Sequence, residues 1–147
     1  HAATTVYDRI KQTGLESGIE FKFNDIKRTP DSRPIHALII AAGDKGVYLS
    51  ESFYQAYFLD GQDISNPDVQ NTILKQHELE YLQSDEAMQD ARKILEMDLQ
   101  HAGQIGIDGV PFFIFNGKMS LAGAHPENIL LTTIDAAIAS SACVLSS

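Results

Sequence analysis

Apolar residues recur at helical spacing through most of this chain and alternate strictly in only one place. Thr5 is positioned to cap a first helix that ends near Glu16, with Val6, Ile10 and Leu15 turned inward and Gly18 just past the end. Residues 19–23 alternate apolar and polar, which predicts a short half-buried extended segment. Residues 27–34 hold two prolines with Asp31 and Ser32 and predict a loop. Helical spacing then takes over. Residues 36–42 are apolar nearly all round, as for a deeply buried helix. Residues 47–59 carry Leu49, Phe53, Ala56 and Tyr57 on one face, and Gly61 closes the helix. Ser65 is placed to cap the next, with Pro67 in its first turn and Asp68 complementing its dipole. A short helix is expected over 78–82. Ser84 then caps a long one with Met88, Ala91, Leu95, Leu99 and Ala102 on one stripe, ended by Gly103 and Gly106. His125-Pro126 opens a last helix whose buried face is Ile129, Leu130, Ile134, Ala137 and Ile138, with residues 140–147 frayed.

Between the two last helices the pattern changes. Phe112 to Phe115 is an unbroken apolar run, Met119 to Ala122 a second one, and Asn116-Gly117 between them is a strong hairpin signal because both residues tolerate positive φ. Pro111 stands at the mouth of the first strand, where a residue without an N–H is tolerated. An X-Pro bond is also the common location of a cis peptide, usually in a tight bend. Apolar residues on both faces of 112–115 describe a central strand covered on both sides. An isolated hairpin is marginal in water, so these strands call for further strands or a covering helix. One hairpin and one extended segment leave the sheet short of partners.

Composition narrows the function classes. The chain has 147 residues, 44% hydrophobic and 21% charged, which suits a folded globular protein. A formal charge of −9 excludes electrostatic capture of nucleic acid, and the adjacent basic pairs Lys27-Arg28 and Arg92-Lys93 read as solvated surface. No run is apolar enough to span a membrane and no signal peptide is visible in the sequence given, so neither nucleic acid nor membrane is expected as a partner. The single cysteine, Cys143, excludes an internal disulfide and any CxxC within this chain, and cysteine scarcity gives a cytoplasmic expectation. Cys143 follows the last helix, without a partner thiol or a helix start, and reads as an inert tail residue.

Several stretches together resemble a known family. Residues 102–113, Ala102-Gly103-Gln104-Ile105-Gly106-Ile107-Asp108-Gly109-Val110-Pro111-Phe112-Phe113, look like the cis-proline segment of the DsbA-like thioredoxin-fold oxidoreductases, closest to their FrnE-like branch. Ser120-Leu121-Ala122-Gly123-Ala124-His125-Pro126 resembles that branch's strand-to-last-helix junction. Arg28-Thr29-Pro30-Asp31-Ser32, with His36 and Leu38 behind it, resembles the opening of its helical insertion. The stretch from Phe53 through Asp60-Gly61-Gln62-Asp63-Ile64-Ser65 is similar to another of its recurrent segments.

The resemblance implies an α/β, mostly helical fold: a partial thioredoxin-like (DsbA-type) domain with a helical insertion. Residues 1–27 would form the connecting helix and extended segment, 28–104 the insertion, and 105–147 the hairpin and last helix. In the family, a first strand and a CxxC-headed helix precede the insertion. Neither is found here, so the chain resembles the C-terminal part of a protein disulfide oxidoreductase, without the catalytic dithiol. The related kappa-class glutathione transferases and 2-hydroxychromene-2-carboxylate isomerases share the layout and supply an alternative. A non-catalytic peptide- or subunit-binding module is a third.

The resemblance also sets the site expectations. Val110 and Pro111 would bind substrate, the cis peptide leaving Val110's backbone free to pair with an extended polypeptide, as in strand addition. No catalytic residue is expected within the chain. His36 reads either as a satisfied core or loop-edge histidine or as a contact near the cleft between insertion and thioredoxin half. His125 reads as structural. His1, His77 and His101 share no metal-ligand spacing. Asp60, Asp63 and Asp68 imitate a calcium loop only superficially, since the twelfth position from Asp60 holds Asn71. No metal or cofactor is therefore expected. The expected partner is a protein or peptide thiol or disulfide, and exposed strand edges predict a homodimer or swapped assembly.

Overall fold

The computed structural model describes residues 2–142. Six α-helices and two strands follow in order: α1 (Ala2–Glu16), α2 (Arg33–Ala41), α3 (Gly46–Tyr54), α4 (Pro67–Gln76), α5 (Asp85–Gln104), β1 (Phe112–Phe115), β2 (Met119–Ala122) and α6 (Glu127–Ala142). Short turns of 3₁₀-helix cover Gly43–Lys45 and Glu80–Gln83, and a π-helical segment continues α3 over Gln55–Leu59. The chain divides into two compact units, residues 1–98 and 99–147. Cys143 lies outside the described residues.

The core of the first unit is built by α2, α3, α4 and the beginning of α5. Ile35, Ala37, Leu38 and Ala42 pack with Leu49, Phe53 and Ala56, and with Ile73, Leu74, Leu79, Leu82 and Met88. Leu49, Leu74, Leu79 and Leu82 are fully buried. Full burial of one such side chain stabilises by roughly 1.5–3 kcal/mol, so these leucines dominate the fold of this unit. Gly46 sits where α3 crosses α2: a Cβ there would lie 2.7 Å from the Ile39 carbonyl oxygen.

Local chemistry sets most helix ends. α2 begins two residues earlier than the loop reading allowed, because Asp31 receives both the backbone N–H of Arg33 (3.1 Å) and its side chain (2.7 Å), and Pro34 fits the first turn. The cap of α4 is Asn66 rather than Ser65: Asn66 Oδ1 accepts from the Asp68 N–H at 2.9 Å. Ser65 is instead committed to Asp63, whose Oδ1 accepts its backbone N–H at 2.9 Å. The segment expected over 78–82 starts late because Glu78 takes φ 58, leaving 3₁₀ geometry over Glu80–Gln83. Ser84 Oγ accepts from the Ala87 N–H at 3.3 Å, which begins α5.

Other expectations are corrected. α1 starts at Ala2, so Thr5 falls within the helix rather than at its start. Val6, Ile10 and Leu15 are exposed rather than inward. Residues 19–23 form no strand. Their alternation reflects side-chain burial only: the rings of Phe21 and Phe23 stack at 5.1 Å and meet Phe58, while the Lys22 N–H donates to the Phe58 carbonyl at 2.8 Å. On α5 the stripe is buried at Met88 and Ala91 but Leu99 is exposed. On α6 Ala137 is buried and Leu130 half-buried, whereas Ile129, Ile134 and Ile138 are exposed. Helical periodicity identifies an apolar face; it does not supply what covers it.

The Asp31–Arg33 pair carries a measurable consequence. Hydrogen bonds from the Arg33 side chain and then its backbone N–H hold the Asp31 carboxyl at about 2, below its ordinary 3.8. A folded-state value below the unfolded one means that the contribution is fully present above 3.8 and is lost as pH falls through about 2. A carbon-detected NMR titration should place the Asp31 midpoint near 2, and Arg33→Gln should move it back toward 3.8.

Candidate functional site

The second unit is a hairpin and a helix. α5 ends at the glycines of its last turn: Gly106 takes φ 76, its N–H donates to the Gly103 carbonyl at 3.2 Å, and the Ile107 N–H reaches back to the Ala102 carbonyl at 2.9 Å. The chain then passes through Asp108 and Gly109 to Val110. β1 and β2 pair antiparallel, with Phe112 opposite Ala122 and Phe115 opposite Met119. Asn116 and Gly117 both have positive φ, 54 and 64, and the Lys118 N–H closes the turn on the Phe115 carbonyl at 3.1 Å. Asn116 Nδ2 donates to the Ala137 carbonyl on α6 at 2.9 Å, tying the turn to the helix.

The mouth of this hairpin holds Val110 and Pro111. Their peptide bond is cis. The Pro111 carbonyl accepts the Gly123 N–H at 2.8 Å, so the residue after β2 fixes the residue before β1. Gly123 takes φ 88, a conformation that favours glycine, and sequence reasoning missed its role; the signal available was a glycine directly after the second strand. Val110 is 92% exposed, and among the described residues its backbone has no hydrogen-bond partner. Among the described residues the sheet has two strands, so the far edge of β1 is also open. β1 is not the covered central strand expected: Phe113 and Ile114 are exposed.

An open strand edge with an exposed main-chain unit at its start leaves N–H and C=O groups without strand partners among the described residues. Pairing through N–H and C=O groups supplies affinity without demanding particular side chains. The hairpin carries no thiol, and the chain's only cysteine is Cys143.

Three of the five histidines bear on the expectations for the site. His36 lies on α2 in the first unit and is exposed, so it is not a core histidine; Ile35, Ala37 and Leu38 take the buried positions around it. His125 Nε2 lies 2.9 Å from the Ala122 carbonyl, which links the end of β2 to the start of α6. His77 Nε2 lies 2.8 Å from Ser52 Oγ, joining α3 to the end of α4, and no feature of the sequence pointed to that pair. Among the described residues no three His, Cys, Asp or Glu groups come together as a metal centre. No helix among them is long and apolar enough to cross a membrane.

Two comparisons bear on this geometry. Residues 1–135 match the family described as the DSBA-like thioredoxin domain. No curated protein matches the sequence.

Proposed function

Because the chain belongs to the DSBA-like thioredoxin domain family, whose members are in general of the thiol–disulfide oxidoreductase type, we propose that its hairpin is the polypeptide-binding half of such an oxidoreductase, of the FrnE-like branch. Residues 1–147 hold one cysteine and therefore no dithiol. The observation that carries this reading is the main chain of Val110, exposed, unpaired among the described residues and anchored by the Gly123–Pro111 hydrogen bond. Helical residues 28–104 are the insertion and residues 105–147 the C-terminal half of the thioredoxin-like domain. The one-cysteine composition supports a cytoplasmic location.

Thiol–disulfide exchange needs an attacking thiolate and a second thiol to resolve the mixed disulfide. One cysteine in the whole chain cannot provide both. The polypeptide alone is therefore expected to give no multiple turnover in an insulin-reduction assay with dithiothreitol, and sustained turnover above the reagent background would defeat the reading. The binding half has its own test. The Val110 amide signal should shift when an unstructured, cysteine-free peptide is titrated in; an unchanged signal at saturating peptide removes the site. The open edge of β1 also supports self-association, since unpaired edges recruit strands. Light scattering should show a dimer, and a monomer over a wide concentration range speaks against it.

A further inference from the structure

The first unit contains a cavity that the hairpin reading leaves without a use. Its volume is about 630 Å³, and it is lined by the rings of Tyr7, Phe23, Tyr57 and Phe58 and by Lys27 and Arg28. The rings form one connected wall: Tyr7 and Phe23 are 5.2 Å apart, Phe23 and Phe58 6.1 Å, Tyr57 and Phe58 4.8 Å. None of the four is fully buried, and Tyr7 is 51% exposed. A wall of open rings at a cavity of this size is the composition of a small-molecule site, where apolar walls hold the ligand and a few polar groups orient it.

The charge at its edge is unusual for this protein. The chain carries 20 acidic and 11 basic residues, yet two adjacent cations, Lys27 and Arg28, share this cavity with one carboxylate, Asp8. Arg28 has an ion-pair partner only at long range, with its Nε 3.9 Å from Asp63. That carboxylate is already engaged by Ser65 through its backbone N–H and its hydroxyl. Among the described residues Lys27 has no ion pair. Counting Asp63 beside Asp8, the two cations are balanced in charge, yet Lys27 and the loosely held Arg28 still offer donors to one carboxylate, which suits a monoanion and disfavours a dianion. A guanidinium fork matches the two oxygens of a carboxylate.

We propose that this cavity binds a small aromatic carboxylate, with its ring against Tyr7, Phe23, Tyr57 and Phe58 and its carboxylate on Lys27 and Arg28. The site does not depend on the hairpin or on the dithiol. Ring stacking provides most of the contact area and the cation pair provides the preference for an acid.

The chain has no tryptophan, so an indole ligand can be followed without background. Indole-3-acetate titrated with the full chain should show a saturable rise in fluorescence anisotropy, weakened by salt. Indole-3-acetamide has the same ring and size without the charge, and should bind roughly tenfold more weakly, the worth of one charge-assisted hydrogen bond. In the double variant Lys27→Gln/Arg28→Gln the acid should fall to the affinity of the amide. Both side chains are exposed, so the variant keeps the fold, which circular dichroism verifies. Absence of saturable binding at millimolar ligand overturns the proposal. So do equal affinities for acid and amide, or a double variant that still prefers the acid.

Discussion

Leu49→Ala is expected to lower the unfolding free energy of the first unit by about 3 kcal/mol, within the range of roughly 2–5 kcal/mol for truncating a fully buried leucine. Leu49 has no exposed surface and sits in the cluster that joins α2, α3 and α4. Its loss removes apolar burial and leaves a void that rigid helices on several sides fill only in part. Urea denaturation followed by circular dichroism should show the midpoint fall with little change in slope. Two neighbours calibrate the result. Leu49→Met keeps the volume and should cost less than about 1.5 kcal/mol. Tyr48→Ala, at an exposed position one residue earlier, should stay within about 0.5 kcal/mol. A Leu49→Ala effect no larger than that of Tyr48→Ala would mean that this cluster is not what holds the helices together.

That core was legible in the sequence because its helices bury the faces their own spacing marks out. Leu49 and Phe53 lie one turn apart on α3, whereas of the run 36–42, expected to be deeply buried, Ala37, Leu38 and Ala42 are buried, Ile39, Ile40 and Ala41 are half-buried and His36 is exposed. The hairpin was legible for a different reason: Asn116-Gly117 names its own turn, and the register follows from it. What the sequence did not reveal is coverage. Val6, Ile10 and Leu15 on α1 have the same spacing as a buried face, yet they are exposed. Periodicity is a property of one helix, and burial is a property of two surfaces.

The same limit applies to residues 19–23. Their alternation is real, but it arises from Phe21 and Phe23 turning toward Phe58, with no strand beside them. Side-chain alternation is necessary for a half-buried strand and does not by itself supply the hydrogen-bonded neighbour. At the candidate site, the proline and its neighbour could be singled out from their position before β1. The Gly123 anchor could not, because a hydrogen bond across the mouth of the hairpin depends on register and backbone dihedral together. The aromatic cavity was hidden more deeply still. Its rings come from residues 7, 23, 57 and 58, and nothing local connects them.

Gly61→Ala should be the most damaging glycine replacement whose cause can be separated into parts. Gly61 ends the π-helical segment: the Asp60 N–H donates to the Gln55 carbonyl at 3.0 Å and the Gln62 N–H to the Ala56 carbonyl at 2.8 Å. To do so it takes φ 65, and a Cβ built there would lie 2.6 Å from the Cβ of Asp25. The left-handed conformation costs a non-glycine residue about 1–2 kcal/mol. Forcing the Asp25 segment aside adds about 1–3 kcal/mol, as for overpacking elsewhere. The sum, roughly 2–5 kcal/mol, should appear as a large fall in the urea midpoint. Gly43→Ala isolates the first part, because Gly43 also has positive φ, 54, but has open space where the Cβ would go. Gly61→Asn isolates the second, since asparagine tolerates the left-handed region but still carries a Cβ. Gly61→Ala should therefore exceed Gly43→Ala, and Gly61→Asn should recover only the conformational share. Equal effects at positions 61 and 43 would show that the Asp25 segment moves freely, and that the close approach there holds nothing in place.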